Sequence, residues 1–326
     1  MLDQYGRTID YARISITDRC NLRCRYCMPE EGVEQLRCQD ILSYEEIVRA
    51  AEIMASLGIR KIKITGGEPL VRKQAPELIK QLKAVKGVEQ VTLTTNGVLL
   101  AEQAEALLAA GIDGINISLD TLEAQAFAQL TRREVLPQVL AGFEKLMALG
   151  YAAVKINCVP LAGVNEDQIC ALAALAKKWP VAVRFIELMP LGLGKAYQAI
   201  DQDTVRAQLA DCFGPPKPWS GQIGNGPAQY ETYAGFAGQI GYIGALHDKF
   251  CAYCNRVRLS ASGYLKLCLQ SDVGADIRPW LKAGVTMAAA GEAIRQIIYH
   301  KPMEHHFEQA EEGDHAETRK MFQIGG

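Results

Sequence analysis

The sequence lacks the features that would direct a chain to a membrane, to nucleic acid or out of the cell. No apolar run approaches the roughly 18 residues that a membrane span needs. The opening Met1-Leu2-Asp3-Gln4-Tyr5 does not read as a signal peptide. Basic and acidic residues nearly cancel, 35 against 37, and a net charge of −2 offers no general field to a polyanion. Any anionic ligand must therefore meet local positive charge. A cytoplasmic protein that engages neither membrane nor nucleic acid is the expectation.

What is present is a chain of 326 residues with 49% hydrophobic content, enough for a sizeable core without disulfides. Six of the ten cysteines fall into two tight groups, which in an unexported chain points to metal binding in a reducing compartment. The other four, Cys38, Cys158, Cys170 and Cys212, read as small apolar fillers.

The first group ends a strand-like run, Arg13-Ile14-Ser15-Ile16-Thr17-Asp18-Arg19, and gives Cys20, Cys24 and Cys27 in the spacing C-x3-C-x2-C. Three thiolates this close can wrap one face of an iron–sulfur cubane, which takes four ligands, and the iron left over is a place for a small molecule. Zinc loops more often pair cysteines two to four residues apart, with a second pair further on.

Six strand–helix units follow one another to about residue 188 and predict a parallel α/β fold. Ser43-Tyr44-Glu45-Glu46 is a capping box that opens a helix. Further helices are expected at 75–86 and 100–110, as one long stretch to 149, and at 165–178. Buried parallel strands usually read as continuous apolar runs, yet these alternate. Arg13, Ser15 and Thr17 share a face, as do Lys61, Lys63 and Thr65; Thr92, Thr94 and Asn96; Asn116, Ser118 and Asp120; Lys155 and Asn157. Ile14, Ile16, Ile62, Ile64, Leu93, Ile115, Ile117 and Ile156 lie between them and would face the helices. A closed eight-stranded barrel fills its interior with apolar side chains, whereas a polar lining needs water or a polar ligand. The pattern predicts an open, partial (β/α)6 TIM-like barrel around a wet cavity. The cysteine loop, Gly66-Gly67-Glu68-Pro69 and Thr95-Asn96-Gly97 would share its carboxyl rim.

Composition changes near residue 214, where 214–218 and 221–227 read as irregular linker and 230–244 as short strands. The expected division is residues 1–213 for the barrel and 214–326 for a C-terminal extension. That extension holds the second group, Cys251, Cys254 and Cys268. On residues alone, zinc competes evenly here, because His247 could complete a Cys3His set. Arg256 and Arg258, two apart on an extended segment, face the same way and can grip phosphate in a forked geometry. Residues 283–300 read as an amphipathic helix, and His305, His306 and His315 as solvated residues of an acidic stretch. A terminal Gly325-Gly326 is either a frayed end or a thread for a channel too narrow for side chains.

Over essentially its full length the chain resembles a known family. The C-x3-C-x2-C loop with Tyr26 before its last cysteine, together with Gly66-Gly67-Glu68-Pro69, is similar to the radical S-adenosylmethionine enzymes. Cys251-x2-Cys254-Asn255-Arg256-Val257-Arg258-Leu259 with Cys268 and the terminal Gly-Gly narrows the resemblance to the GTP 3′,8-cyclases of molybdenum cofactor biosynthesis. The resemblance implies two [4Fe–4S] clusters, one on Cys20, Cys24 and Cys27 and one on Cys251, Cys254 and Cys268. S-adenosylmethionine would bind the open iron of the first, with Tyr26, Gly67, Ser118 and Met189 at contact positions. GTP would bind the second through its guanine, with Arg13, Lys63, Thr94, Lys155, Arg256, Val257 and Arg258 at contact positions. Arg256, Arg258, Gly325 and Gly326 would support the radical step.

The implied activity is that of a lyase that converts GTP to (8S)-3′,8-cyclo-7,8-dihydro-GTP by hydrogen abstraction at C3′ and attack on C8. An electron-donor protein and a downstream cyclic pyranopterin monophosphate synthase would be partners, and a homodimer is compatible with the resemblance. One departure stands out: the family commonly shows arginine at position 63, and this chain has lysine, a point charge in place of a fork. Two other readings fit parts of the pattern. One is a radical enzyme acting on a peptide with an auxiliary electron-transfer cluster, and the other a zinc-bearing scaffold.

Overall fold

Six strand–helix units run in sequence from the amino terminus. In the computed structural model, which describes residues 1–221 and 223–307, they are β1 (Tyr11–Ser15), α1 (Tyr44–Ser56), β2 (Lys61–Thr65), α2 (Ala75–Ala84), β3 (Gln90–Thr95), α3 (Leu100–Ala109), β4 (Gly114–Ser118), α4 (Ala124–Thr131), α5 (Leu136–Ala148), β5 (Val154–Cys158), α6 (Ile169–Lys178) and β6 (Ala182–Ile186). The expected capping box opens α1: the Glu46 amide donates to Ser43 Oγ at 3.1 Å, and the Ser43 amide donates to the Glu46 carboxylate at 2.7 Å. The helical stretch expected to run unbroken to 149 is two helices. Arg132 ends α4 in the left-handed region at φ +56°, and Pro137 occupies the first turn of α5, where its missing N–H leaves no helix bond unmade.

The remaining elements are α7 (Gln202–Phe213), β7 (Lys217–Trp219), β8 (Gln229–Thr232), β9 (Gln239–Ile243), β10 (Arg256–Leu259), β11 (Tyr264–Lys266), β12 (Gly274–Asp276), α8 (Arg278–Leu281) and α9 (Met287–Tyr299). The linker expected over 214–227 thus contains a strand, and α7 precedes it. All the strands join one sheet in the order β12-β11-β10-β1-β2-β3-β4-β5-β6-β9-β8-β7. The C-terminal strands extend both edges of the partial barrel. Each extension begins in parallel, β10 against β1 and β9 against β6, and then turns antiparallel. In this order β9 and β10 are not neighbours, so the barrel stays open.

The alternation in the strands is what sorts them into two faces. Ile14, Ile16, Ile62, Ile64, Leu93, Ile115, Ile117 and Ile156 are buried in one cluster with the apolar faces of the helices. Burying each such side chain contributes roughly 2 kcal/mol. The opposite face is left to polar side chains.

Three of the four cysteines expected as unpaired fillers behave otherwise. Cys158 is a fully buried filler, but Cys38 is exposed. Cys170 of α6 and Cys212 of α7 form a disulfide, because these helices pack side by side and bring the two Cα atoms within 6.5 Å. Among the described residues no helix is long and apolar enough to cross a membrane.

Candidate active site

The parallel strands deliver three loops to one rim. The first, after β1, carries Cys20, Cys24 and Cys27, and the amides of Cys27 and Met28 both donate to the Cys24 carbonyl at 2.9 Å. Its outer side is fastened to the end of α4: the Arg23 and Arg25 amides donate to the carbonyls of Thr131 and Leu130. The left-handed turn at Arg132 aims its guanidinium at the carbonyls of Arg23 and Met28. The second loop, after β2, lies against the first. A Cβ at Gly67 would meet the Arg19 carbonyl oxygen at 2.3 Å, so only glycine allows this backbone approach. Glu68 then reaches the third loop, after β3, accepting from Thr95 Oγ1 at 2.8 Å and from the Asn96 amide at 2.6 Å. Burial raises its carboxyl to about 7.

These loops border a cavity of about 370 Å³ whose walls are the polar faces of the strands. Across β10, β1 and β2 the register sets Arg258, Arg13 and Lys63 side by side. Lys155 enters from β5 and Arg184 from β6, and Arg184 donates to Asn157 Oδ1 at 2.9 and 2.6 Å. With its amide oxygen toward these cations, Asn116 accepts from Lys63 Nζ at 2.6 Å and from Arg184 Nη2 at 2.9 Å. Burial pushes the Lys63 ammonium well below its ordinary value, and Arg184, Arg13, Lys155 and Arg256 push it further. Among the described residues no carboxylate pairs with Lys63, Lys155 or Arg184. The carboxylates of the cavity, Glu68, Asp120 and Glu187, follow the strands at the other end. Asp120 accepts from Tyr26 Oη at 2.7 Å and is raised to about 6 by burial.

The second cysteine set faces the same cavity. Burial alone would raise the Cys254 thiol, but Lys301, Arg256, the Arg256 amide and Arg7 outweigh it and hold the thiol at about 7. The first set lies in the opposite environment: burial pushes Cys20 up to about 11 and Cys24 well above its ordinary value, with Glu68 and Asp120 adding to it.

Arg7 fastens the second set to the root of the C-terminal segment. It is buried, pairs with Asp3 at 2.6 Å, and donates to the carbonyls of Cys251, Met303 and Pro302 at 2.9, 2.7 and 2.6 Å. Arg7→Ala would leave the buried Asp3 carboxylate without its partner and three half-buried carbonyls without their donor, a loss of roughly 3–5 kcal/mol. It should lower the melting temperature and release iron from the second set only. Metal analysis after gel filtration should fall from about eight irons per chain toward about four.

Each set offers three thiols to one cavity, and none of the six is in a disulfide. Among the described residues no three His, Cys, Asp or Glu side chains converge on a point that would hold a single ion. The candidate fourth ligand of a Cys3His zinc set is engaged elsewhere: the His247 side chain is 75% exposed, and its ring turns to the buried Glu187 carboxylate. Three ligands with the fourth corner open to the cavity fit an iron–sulfur cubane at both places.

Of the side chains singled out from sequence, Arg13, Cys20, Cys24, Tyr26, Cys27, Lys63, Gly67, Thr94, Ser118, Lys155, Met189, Cys251, Cys254, Arg256, Arg258 and Cys268 all line this cavity. Val257 does not: strand alternation between Arg256 and Arg258 turns its side chain into the apolar core. Gly325, Gly326 and His315 lie outside the described residues. His306 is exposed, but His305, expected in solvent, is buried against the cavity with the Phe307 ring tilted against it and, among the described residues, no hydrogen-bond partner for Nδ1. Arg184 and His305 are the residues that sequence reasoning missed. For Arg184 the signal was there, since an arginine inside a buried strand is rare without a task.

Two family models divide the chain: Radical SAM superfamily over residues 14–176, and Molybdenum Cofactor Synthesis C over 181–307. In fold the chain is similar to SuiB from Streptococcus suis, with a TM-score of 0.57 at 14% identity, covering 91% of this chain and 67% of that one. The fold and the three-thiol loop at its rim thus define a radical S-adenosylmethionine enzyme with a partial barrel. Among curated proteins the chain is similar to "GTP 3′,8-cyclase" of Heliobacterium modesticaldum, 43% identical over 331 residues. It is also similar to that of Syntrophomonas wolfei, 42% identical over 329, each match covering all of both chains. The chain belongs to the GTP 3′,8-cyclase family.

Proposed function

We propose that this chain converts GTP to (8S)-3′,8-cyclo-7,8-dihydro-GTP, with the cysteine sets and the inward cations in the roles that the family pattern implies. The observation that carries the reading is the band of cations along one wall of a cavity with two three-thiol sets, one following β1 at the carboxyl end of the strands and one preceding β10 at their amino end. Cross-strand like charges oppose folding, and a polyphosphate turns that repulsion into attraction. Cys20, Cys24 and Cys27 would hold the first cluster, with Tyr26, Gly67, Ser118 and Met189 around S-adenosylmethionine. Cys251, Cys254 and Cys268 would hold the second, which presents the guanine. The chemistry supplied by the first cluster and its cofactor, when bound, is one-electron cleavage of the sulfonium and hydrogen abstraction at C3′ of GTP.

The chain's own residues do the positioning. Arg13, Lys63, Lys155, Arg184 and Arg258 would grip the triphosphate, Thr94 would accept or donate to the ribose side, and Arg256 would hold the intermediate near the second set. Val257 would contribute only backbone. Gly325 and Gly326 would complete the site. In this reading residues 1–213 form the barrel that makes the radical and supplies most of the triphosphate cations, and 214–326 carry the second cluster and the Gly-Gly tail, inside the cytoplasm. An electron-donor protein would feed the clusters, cyclic pyranopterin monophosphate synthase would take the product, and a homodimer is compatible.

The test is to incubate reduced, cluster-loaded protein anaerobically with S-adenosylmethionine and GTP deuterated at C3′. Deuterium should appear in 5′-deoxyadenosine. Cofactor cleavage without transfer of label would assign the substrate elsewhere.

A pH dependence follows from Lys155. Burial, with Arg184 beside it, lowers its ammonium from 10.5 to about 8. Without nucleotide the folded chain releases this proton near pH 8 while the unfolded chain keeps it to 10.5, so stability rises across that window. A bound triphosphate keeps the ammonium charged. GTP affinity should therefore fall as pH rises through about 8, and Lys155→Arg should flatten the decline. Isothermal titration in buffers on either side of that pH reads both effects.

A further inference from the structure

A further cation is buried beside the second cysteine set, apart from the band on the strands. Lys301 follows α9, is 2% exposed and lines the cavity. Its backbone is held from both sides. The Lys301 amide donates to the Ile298 carbonyl at 3.1 Å, and its carbonyl accepts from Gln4 Nε2 at 3.2 Å and Arg7 Nη2 at 3.4 Å. The side chain turns inward, and Nζ donates to the carbonyl of Leu267, the residue before Cys268. A lysine at the edge of a fold ordinarily carries its head out to water. This one is kept from doing so, and among the described residues no carboxylate pairs with it. A buried charge in that position is costly unless an anion sits beside it.

The charge falls on the second cysteine set. Burial raises the Cys254 thiol, and Lys301 is the strongest of the influences that lower it; it also lowers Cys251 against burial. The other cations there are already engaged. Arg7 is paired with Asp3 at 2.6 Å, and Arg256 lies over the Phe250 ring at 4.5 Å. The first set has the reverse surroundings, with Glu68 acting on Cys20 and Asp120 on Cys24. A cubane with three thiolates is an anion, and one-electron reduction adds negative charge, so a fixed cation beside it favours the reduced form. We propose that Lys301 is the built-in counter-ion of the second cluster and holds its reduction potential above that of the first. This rests on reading both cysteine sets as [4Fe–4S] sites. An electron from a low-potential one-electron donor then settles on the second cluster first. In that step the donor is oxidised, the cluster is reduced, and no bond forms or breaks. Lys301 is thus a positioning residue that acts through the cluster and not on the substrate.

The experiment is an anaerobic redox titration with dithionite, followed by low-temperature EPR, on cluster-loaded full chains without nucleotide or S-adenosylmethionine. Cys24→Ala protein reports the second cluster alone, and Cys254→Ala protein the first alone. The second should be half-reduced at the higher potential. Lys301→Gln keeps a polar head and removes the charge. It should move the reduction equilibrium of the second cluster about tenfold toward the oxidised form, about 59 mV for one electron, and that of the first by less than about twofold. Lys301→Arg restores the charge and should bring the second cluster back to within about threefold of its parent. If Lys301→Gln loses its second cluster, the order of the two potentials with Lys301 intact decides alone. A second cluster at or below the potential of the first would overturn the proposal. So would a potential unmoved by Lys301→Gln, equal shifts of both clusters, or a Lys301→Arg chain shifted as far as Lys301→Gln. Reduced chains that give no cubane signal from either set would instead overturn the assignment of the sets.

Discussion

Cys24→Ala protein should lose all cleavage of S-adenosylmethionine yet still bind GTP, and Cys254→Ala protein should do the reverse. Both should lose about four of about eight irons, because a cubane left with two protein thiols is not retained. The asymmetry follows from where the two sets sit. Cys24 is half-buried against the apolar core near Asp120, with desolvation and that carboxylate both pushing its thiol up. Cys254 lies among Lys301, Arg256 and Arg7, and the inward arginines of β10 follow it in sequence. Removing the first set takes away the electron path to the sulfonium and touches none of the deep cations. Removing the second leaves the radical source whole but unpositions the nucleotide, so cleavage continues while deuterium transfer from C3′ stops. Iron content, 5′-deoxyadenosine formation and GTP titration on the two variants separate the sets. Loss of GTP binding in Cys24→Ala equal to that in Cys254→Ala would mean that the sets form one interdependent centre.

The barrel could be read from the sequence because one face of each strand is polar and the other apolar. A sheet covered by helices has no other use for Thr92, Asn116 or Lys155 than a wet interior. What could not be read was pairing across long separations. β10 and β9 join the parallel sheet only through partners far away in sequence, and nothing local in Arg256-Val257-Arg258-Leu259 announces that Arg258 stands opposite Arg13. The same limit explains the two histidines. His247 lies four residues from Cys251 and turns away to Glu187, whereas the distant His305 packs against the cavity with its backbone amide on the Cys251 thiol. Spacing along the chain finds ligands of one loop and misses neighbours brought in by a later element. Gly67 shows a subtler gap: its motif signalled close approach, but the approach is to the Arg19 carbonyl, so the glycine builds the rim and does not merely make room for a ligand.

Lys63→Met should give a chain that is more stable without nucleotide and a poorer enzyme. Lys63 is buried in mid-strand, and burial followed by Arg184, Arg13, Lys155 and Arg256 all disfavour its charge. Its contact with the Asn116 amide oxygen is a single hydrogen bond, a contribution of about 1 kcal/mol. Exchanging a buried charge for an apolar side chain of similar length commonly gains roughly 1–4 kcal/mol, so the balance favours methionine in the empty protein. The melting temperature should rise by about 2 °C or more. Binding moves the other way: one charge-assisted phosphate contact fewer should weaken GTP roughly 10- to 100-fold. Stability should depend on pH in the same sense. A lysine whose folded value lies well below 10.5 makes the empty protein gain stability as pH rises toward 10.5, and Lys63→Met should remove part of that gain. Lys63→Arg sharpens the comparison, since a fork that stays charged at every working pH should bind triphosphate at least as tightly while keeping the empty protein strained. A methionine variant that melts earlier than wild type would make Lys63 a structural residue and leave the triphosphate to Arg13, Lys155, Arg184 and Arg258.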